Sequence, residues 1–461
     1  MGIIAAAFVL SRVLAAWFGI HMRSEALYSY WQYLDVETLR HHLLHGLWYD
    51  HAQPPIFNAL LGVIVKISGD QAPLLFSCFF KAITLANACL LLAILHRLVT
   101  HRFIPLLLTL LYILSPATLI FETELFYTTF ISMLLLVSVF FLLRIGENDR
   151  WTTSLGVCLP LVILCLTRSL YHILWIAIAL GIVLFYLRKK TTFKKMLLVA
   201  SFSLLLVASW YIKNFIVFHQ FSTSSWIGMN VARTVFHDHP VKDSSRIEAF
   251  EPFSDLKSYR PFIQGNAKQK YAGLDDRDLL QPYKNDTFLN ENQVDYIEIS
   301  GKYMKVSKQY VAEHPFEYGQ NVLQSAIIFF APATRYPFAE PEAKKIKTYD
   351  ILYSFNLSHF AKGKSQRRIA LIVSALPKIL IWLFVAWSFL LQGRRQGGIS
   401  MVNLFIFVTI GFVFLVSSLI EHYENMRFRY EIEPLFLVLL GQSLFRLCSH
   451  TTSASPNAAE G

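Results

Sequence analysis

Charge is scarce in this sequence. Of 461 residues only 16% are Asp, Glu, Lys or Arg, while 54% are hydrophobic. That shortage excludes most soluble cytosolic enzymes, where roughly a quarter of residues carry charge. Cysteine is scarce too. Cys78, Cys89, Cys158, Cys165 and Cys448 all lie in or beside apolar runs, a pattern that indicates neither a disulfide framework nor a zinc motif. No GxGxxG, Walker A, HExxH, nucleophile-elbow or kinase pattern occurs in a suitable context. Without a nucleotide-binding fold, a transferase built on this chain must receive its donor already activated on a lipid. Residues 2–20 have no basic n-region and no convincing small-residue cleavage site, so they read as an uncleaved first span. There is no internal repeat or heptad array, and the low-complexity end (TTSASPNAAEG) reads as part of a disordered tail over 448–461.

What the sequence does have is long apolar runs. A helix needs roughly 20 apolar residues to cross the hydrocarbon core. That selects segments near 2–20, 72–95, 104–121, 127–144, 152–167, 169–187, 196–216, 368–392, 399–420 and 431–447. The expected fold class is therefore mainly α, a polytopic transmembrane protein of about ten spans. The excess of 42 Lys+Arg over 31 Asp+Glu reads as topology rather than nucleic-acid binding, because basic residues collect on the cytoplasmic side. Residues 56–69 are apolar but short, carry Lys66 and follow Pro54-Pro55. If they do not cross, the clusters at Arg97 and Arg102, Arg144 and Arg150, Arg188 to Lys195, Arg394 and Arg395, and Arg446 share one side. This stretch therefore reads as a helix lying along the outer leaflet.

This topology divides the chain into a membrane module over 1–216, with a first outer loop at 21–71, an outer domain at 217–366 and closing spans at 367–447. The outer domain is too long to be a structureless loop. Within it Ala326 to Ala331 (AIIFFA) is too short to span and reads as a second interfacial segment.

The outer side holds the residues able to do chemistry. Asp35, with Glu37 close behind, either acts as a general base toward a hydroxyl or caps the helix beginning near Val36. His41, His42, His45 and His51 invite a metal reading, but without the Glu of a zincin motif they read better as surface histidines. Glu122 and Glu124 sit in the second outer turn, where carboxylates are costly unless paired or functional. At the same depth that side offers few cations, chiefly Lys81, Arg168 with His172 in TRSLYH, and Arg427 and Arg429 in the last turn. Converging, they form a pocket for an anionic head group, most simply a lipid phosphate that Arg binds bidentately. Arg12, in the first span, pairs with the same anion, snorkels or pairs with another helix.

The order YLDVETL, GLWYDHAQPPIFNALLG, FETELFYT, TRSLYH, SWYIKNFIVFHQFSTSSWIGMN and RFRYEIEPLFLVLLG resembles the GT-C superfamily of integral-membrane glycosyltransferases, in particular the family of protein O-mannosyltransferases and lipid A aminoarabinose transferases. The resemblance implies inverting transfer of a sugar from a polyprenyl-phosphate donor to an acceptor hydroxyl on a glycan, glycolipid or protein, on the outer (periplasmic or luminal) face of the membrane, which in a bacterium is the inner membrane. It implies Asp35 as the base, with Glu37 as the alternate because Val36 separates two acids that are usually adjacent. Glu122 would orient the acceptor or help hold a divalent cation such as Mg or Mn, for which no ligand set is assigned. Lys81, Arg168, Arg427 and Arg429 would neutralise the leaving phosphate, with His172 and His51 beside the substrate. Two other classes remain as alternatives. One is a transporter or flippase of lipid-linked glycans, which usually shows repeated halves and broken midplane helices. The other is a non-catalytic membrane scaffold.

Overall fold

A computed structural model describes residues 1–30, 32–145, 147, 150–236, 277–284, 287–395 and 398–453. The protein is mainly helical, with one two-stranded antiparallel ribbon, Tyr283–Lys284 against Phe288–Leu289, among the described residues. Four helical stretches are long and apolar enough to cross a membrane: Pro55–Leu98, Phe193–Phe218, Lys364–Arg394 and Met401–Ile420. Gly2–Trp17, Phe103–Leu114, Thr128–Arg144, Trp151–Cys165 and Ile173–Leu187 are apolar but shorter. The Pro55–Leu98 stretch is not one rod. A positive φ of 52° at Gly69 separates Pro55–Ser68 from Ala72–Leu98. The first piece packs on the helices Val36–His41 and Leu43–Tyr49 of the first loop.

Three expectations need correction. The run 104–121 is two helices, Phe103–Leu114 and Pro116–Phe121, because Pro116 offers no N–H and its ring clashes with the preceding turn. The AIIFFA segment is not a separate interfacial piece; Ala326 to Phe329 end the helix Pro315–Phe329, which packs against Met401–Ile420. Phe329 is fully buried, with Trp382 and Phe414 at ring separations of 5.6 and 5.1 Å. The last helix continues to Ser453, past the expected start of the tail at 448. Residues 454–461 of that tail, and 237–276 of the expected outer domain, lie outside the described residues.

The Ser115-Pro116 break would leave four carbonyls orphaned at the end of Phe103–Leu114. Each finds a donor. Tyr353 and Tyr349 hydroxyls donate to Leu111 O and Leu114 O, Thr118 Oγ1 donates to Tyr112 O (2.7 Å), and Arg12 Nη1 donates to Ile113 O (2.9 Å). In an apolar surrounding each unmade bond costs several kcal/mol, so this break is a built junction.

The polar connections meet at one end of the helices. Arg23 joins Glu124 at 3.1 Å, and His51 is held between Ser225 Oγ and Asn292 O, each at 2.8 Å. Lys284 Nζ donates to Tyr33 O, tying the ribbon to the first loop. The helices Ile227–Phe236 and Asp295–Glu313 cross so closely that a Cβ on Gly228 would lie 1.8 Å from Ser300 O. Only glycine fits that crossing.

Glu291 lies buried among these connections with Oε2 lacking a hydrogen bond, and burial raises its pKa to about 8 despite Lys284 and Arg233. The unfolded chain ionises at the ordinary carboxylate value while the folded one keeps its proton. Stability therefore falls as pH rises from about 4.5 to about 8. Glu291→Gln should raise the thermal unfolding midpoint in detergent by a few degrees at pH 8, with the gain vanishing toward pH 4.5; an equal gain at both pH values would refute this account.

Candidate functional site

The turn that follows Cys165 exposes Arg168 to the interior of the polar end, and the short helix Asn425–Glu431 does the same for Arg427. Every residue of that short helix is buried. Arg427 and Glu431, one helical turn apart, share a face. Residue 429, two positions on from 427, points about 200° away, as a period of 3.6 requires. The Arg427 and Arg429 pair expected at one phosphate is thus split. Arg429 donates to Phe329 O (3.0 Å) and pairs with Glu433, which makes it a clamp on the end of Pro315–Phe329.

Arg168 pairs with Glu431, and Arg427 pairs with Glu424 and stands 3.7 Å from Glu431. Both guanidiniums also lie over aromatic rings. Arg168 is 3.7 Å from the Phe428 centroid, and Arg427 is 4.2 Å from that of Phe126 and 5.2 Å from that of Tyr336. Cation–π contact helps hold a buried charge that has lost its water. The third cation is Arg233, whose Nη1 lies 3.5 Å from Glu421 Oε1.

These groups line a cavity of about 300 Å³. Arg168, Arg233, Arg427, Glu421 and Glu424 form its charged end, with His172, Gln32, Gln53, Ser224 and Asn230 around them. Leu170, Leu174, Phe412, Val416 and Ile420 form an apolar wall built from the start of the helix Ile173–Leu187 and the last turns of Met401–Ile420. Arg427 keeps Nε and Nη1 without a hydrogen bond. Buried donors left in this state are the groups an anionic oxygen would satisfy.

The two lining carboxylates differ. Glu421 is pushed up to about 7, chiefly by burial, with Arg233 opposing and Glu424 adding to the rise. Burial acts on Glu424 as well, but Arg427 and Arg233 overcome it and hold the group below the ordinary carboxylate value. One cavity therefore contains a fixed anion and an acid that titrates near neutrality.

The remaining sequence-selected residues lie elsewhere. Asp35 caps Val36–His41, its Oδ1 accepting from Glu37 N at 2.9 Å. Glu37 is exposed and 3.5 Å from His41. Neither lines the cavity. His51, expected beside the substrate, is a buried tie between the first loop and the segment after Phe218, and burial lowers its pKa to about 3. Glu122 is gripped by Arg12 through two 2.8 Å contacts, Nε to Oε1 and Nη2 to Oε2. Arg12 is thus a helix-to-helix partner and does not snorkel. Lys81 joins that pair in a second cavity, also about 300 Å³, separate from the Arg168 and Arg427 set. Among the described residues no three His, Cys, Asp or Glu side chains are grouped to hold a metal.

Sequence reasoning found Arg168, His172 and Arg427. It missed Arg233, Glu421 and Glu424. The acids stood in view three and six residues before Arg427, but Arg233 lies on a helix whose sequence shows only an amphipathic pattern. Comparison with family models, with curated proteins and with solved structures gave no match.

The bidentate Arg12–Glu122 pair yields a stability prediction. Breaking a buried pair from one side costs about 3–5 kcal/mol, whereas replacing both partners with apolar groups is often close to neutral. Arg12→Met should lower the unfolding midpoint markedly, and adding Glu122→Leu should restore the part due to the uncompensated carboxylate, while the part due to the lost bond to Ile113 O remains. A double variant no better than the single one would disprove the pairing.

Proposed function

We propose that the chain is an integral-membrane glycosyltransferase that moves a sugar from a polyprenyl-phosphate donor to an acceptor hydroxyl. The observation that carries this reading is the cavity with three guanidiniums at one end and an apolar wall of Leu170, Leu174, Phe412, Val416 and Ile420 beside them. A polyprenyl phosphate has the same two parts, a compact anion and a long hydrocarbon chain. Arg168 and Arg427, held against aromatic rings and carboxylates, are pre-set for charge that develops on the leaving phosphate. Fixed charges of this kind stabilise a transition state without reorganising. His172 and the Gln32 and Gln53 amides stand around the sugar and acceptor.

The sidedness follows from charge. Arg97 and Arg102, Arg144 and Arg150, Arg188 to Lys195, and Arg394 and Arg395 lie in the connections that alternate with those building the cavity. With basic loops facing the cytoplasm, the cavity opens on the opposite face, the periplasmic one in a bacterial inner membrane. Ten crossings satisfy this alternation, with Pro55–Ser68 lying along the surface. The second-cavity residues Lys81, Arg12 and Glu122 would face the acceptor side of the same reaction, with a divalent cation as an added element to be assayed.

The test uses the purified full-length protein in lipid nanodiscs. Polyprenyl phosphate should bind, as read by native mass spectrometry, and Arg233→Gln should weaken binding by about tenfold, the loss expected for one charged hydrogen bond. With polyprenyl-phosphate hexose or pentose donors and a cell-envelope extract as acceptor, the wild type should release polyprenyl phosphate and form a glycosylated product. Translocation of the donor across vesicles with no covalent product would favour a flippase instead.

A further inference from the structure

A hydroxyl attacking an anomeric carbon must lose a proton, and the first-loop acids do not line the cavity where the phosphate would sit. Glu122 is bound bidentately by Arg12 in the second cavity. Glu424 and Glu431 are each locked to a guanidinium, of Arg427 and Arg168 respectively. Glu421 is placed differently. Its carboxylate lines the cavity, its Oε1 accepts from His422 N at 3.0 Å, and its link to Arg233 is the looser 3.5 Å contact. From this geometry we propose that Glu421 is the proton acceptor for the attacking hydroxyl. The assignment rests on the transferase reading above and names the residue which that reading leaves open.

The step balances as follows. The hydroxyl oxygen bonds to the anomeric carbon as its proton passes to the Glu421 carboxylate. The bond from that carbon to the phosphate oxygen breaks, and its electron pair stays on the lipid phosphate beside Arg168, Arg233 and Arg427. Protonated Glu421 then returns its proton to water. The groups facing Glu421 are Arg233 from the helix Ile227–Phe236, Glu424 and Arg427 from the turn and short helix that follow, and His172 across the cavity. His422, next in sequence, turns its Nδ1 toward Ser325 Oγ at 3.1 Å. In this surrounding Glu421 titrates near 7 while Glu424 stays charged. A base with that affinity suits proton removal at neutral pH.

The deciding experiment compares wild type, Glu421→Gln and Glu421→Asp as full-length proteins in nanodiscs. Polyprenyl phosphate is the binding probe, and release of polyprenyl phosphate from polyprenyl-phosphate hexose and pentose donors is the turnover readout. Glu421→Gln should bind the probe within about twofold of wild type yet lose roughly 10²–10⁴-fold in turnover. The acidic limb of the wild-type turnover profile, centred near pH 7, should vanish in Glu421→Gln and persist in Glu421→Asp at reduced rate. Near-normal turnover by Glu421→Gln, or an unchanged acidic limb, overturns the assignment and leaves the transferase reading intact. A wild type that neither binds the probe nor consumes any donor overturns both.

Discussion

The polar end of this protein is organised around one constraint, that two arginines are taken almost wholly out of water. Moving a guanidinium from solvent into a protein interior costs several kcal/mol even after relaxation, and only close carboxylates and aromatic faces offset it. Arg168 and Arg427 are 3% and 1% exposed. Around them the chain has placed Glu424, Glu431, Phe126 and Phe428, drawn from two separated parts of the sequence, with Arg168 itself from a third. Removing any of these partners leaves a charge without compensation, which is why the turns at 122–127, 166–172 and 421–432 must come together. The cavity is the space left beside this cluster.

The same accounting of polar groups explains the second junction. Pro116 breaks a long apolar run, and the four carbonyls it would orphan are met by Tyr353, Tyr349, Thr118 and Arg12. Arg12 then has its remaining donors turned toward Glu122. A cation that looks out of place in the first apolar helix thus serves both a backbone break and a buried acid. Its use there separates Glu122 and Lys81 from the Arg168 and Arg427 set, so charges that a linear reading gathers into one phosphate pocket occupy two cavities.

Helix positions were legible because hydrocarbon length and apolar runs leave little freedom, and most observed helices lie close to the expected segments, the exceptions being the run broken at Pro116 and the last helix, which continues to Ser453. The failures have particular causes. AIIFFA is apolar whether it lies on a membrane or packs into one, so only the presence of Trp382 and Phe414 beside Phe329 decided between them. Asp35 carried two readings, of which the structure displays the cap, its carboxylate accepting from the backbone N–H of Glu37. His51 reads as a surface histidine or a neighbour of the substrate, yet it is buried, with both ring nitrogens spent on holding the loop to Ser225 and Asn292.

The sequence by itself determined that the chain is helical and apolar, and that its charges are few and, Arg12 and Lys81 aside, gathered mostly toward helix ends and connections, with Arg168 and Arg427 in connections expected on the same side. Those properties follow from period, length and solvation, which act locally along the chain. Only the tertiary structure decided which charges meet. Arg233 joins the site through a helix crossing that Gly228 permits, Arg429 leaves it because two residues along a helix turn it to the far side, and Glu421 stays loosely held while its neighbours are bound. Partnership of this kind depends on distances between segments hundreds of residues apart, and no local pattern encodes them.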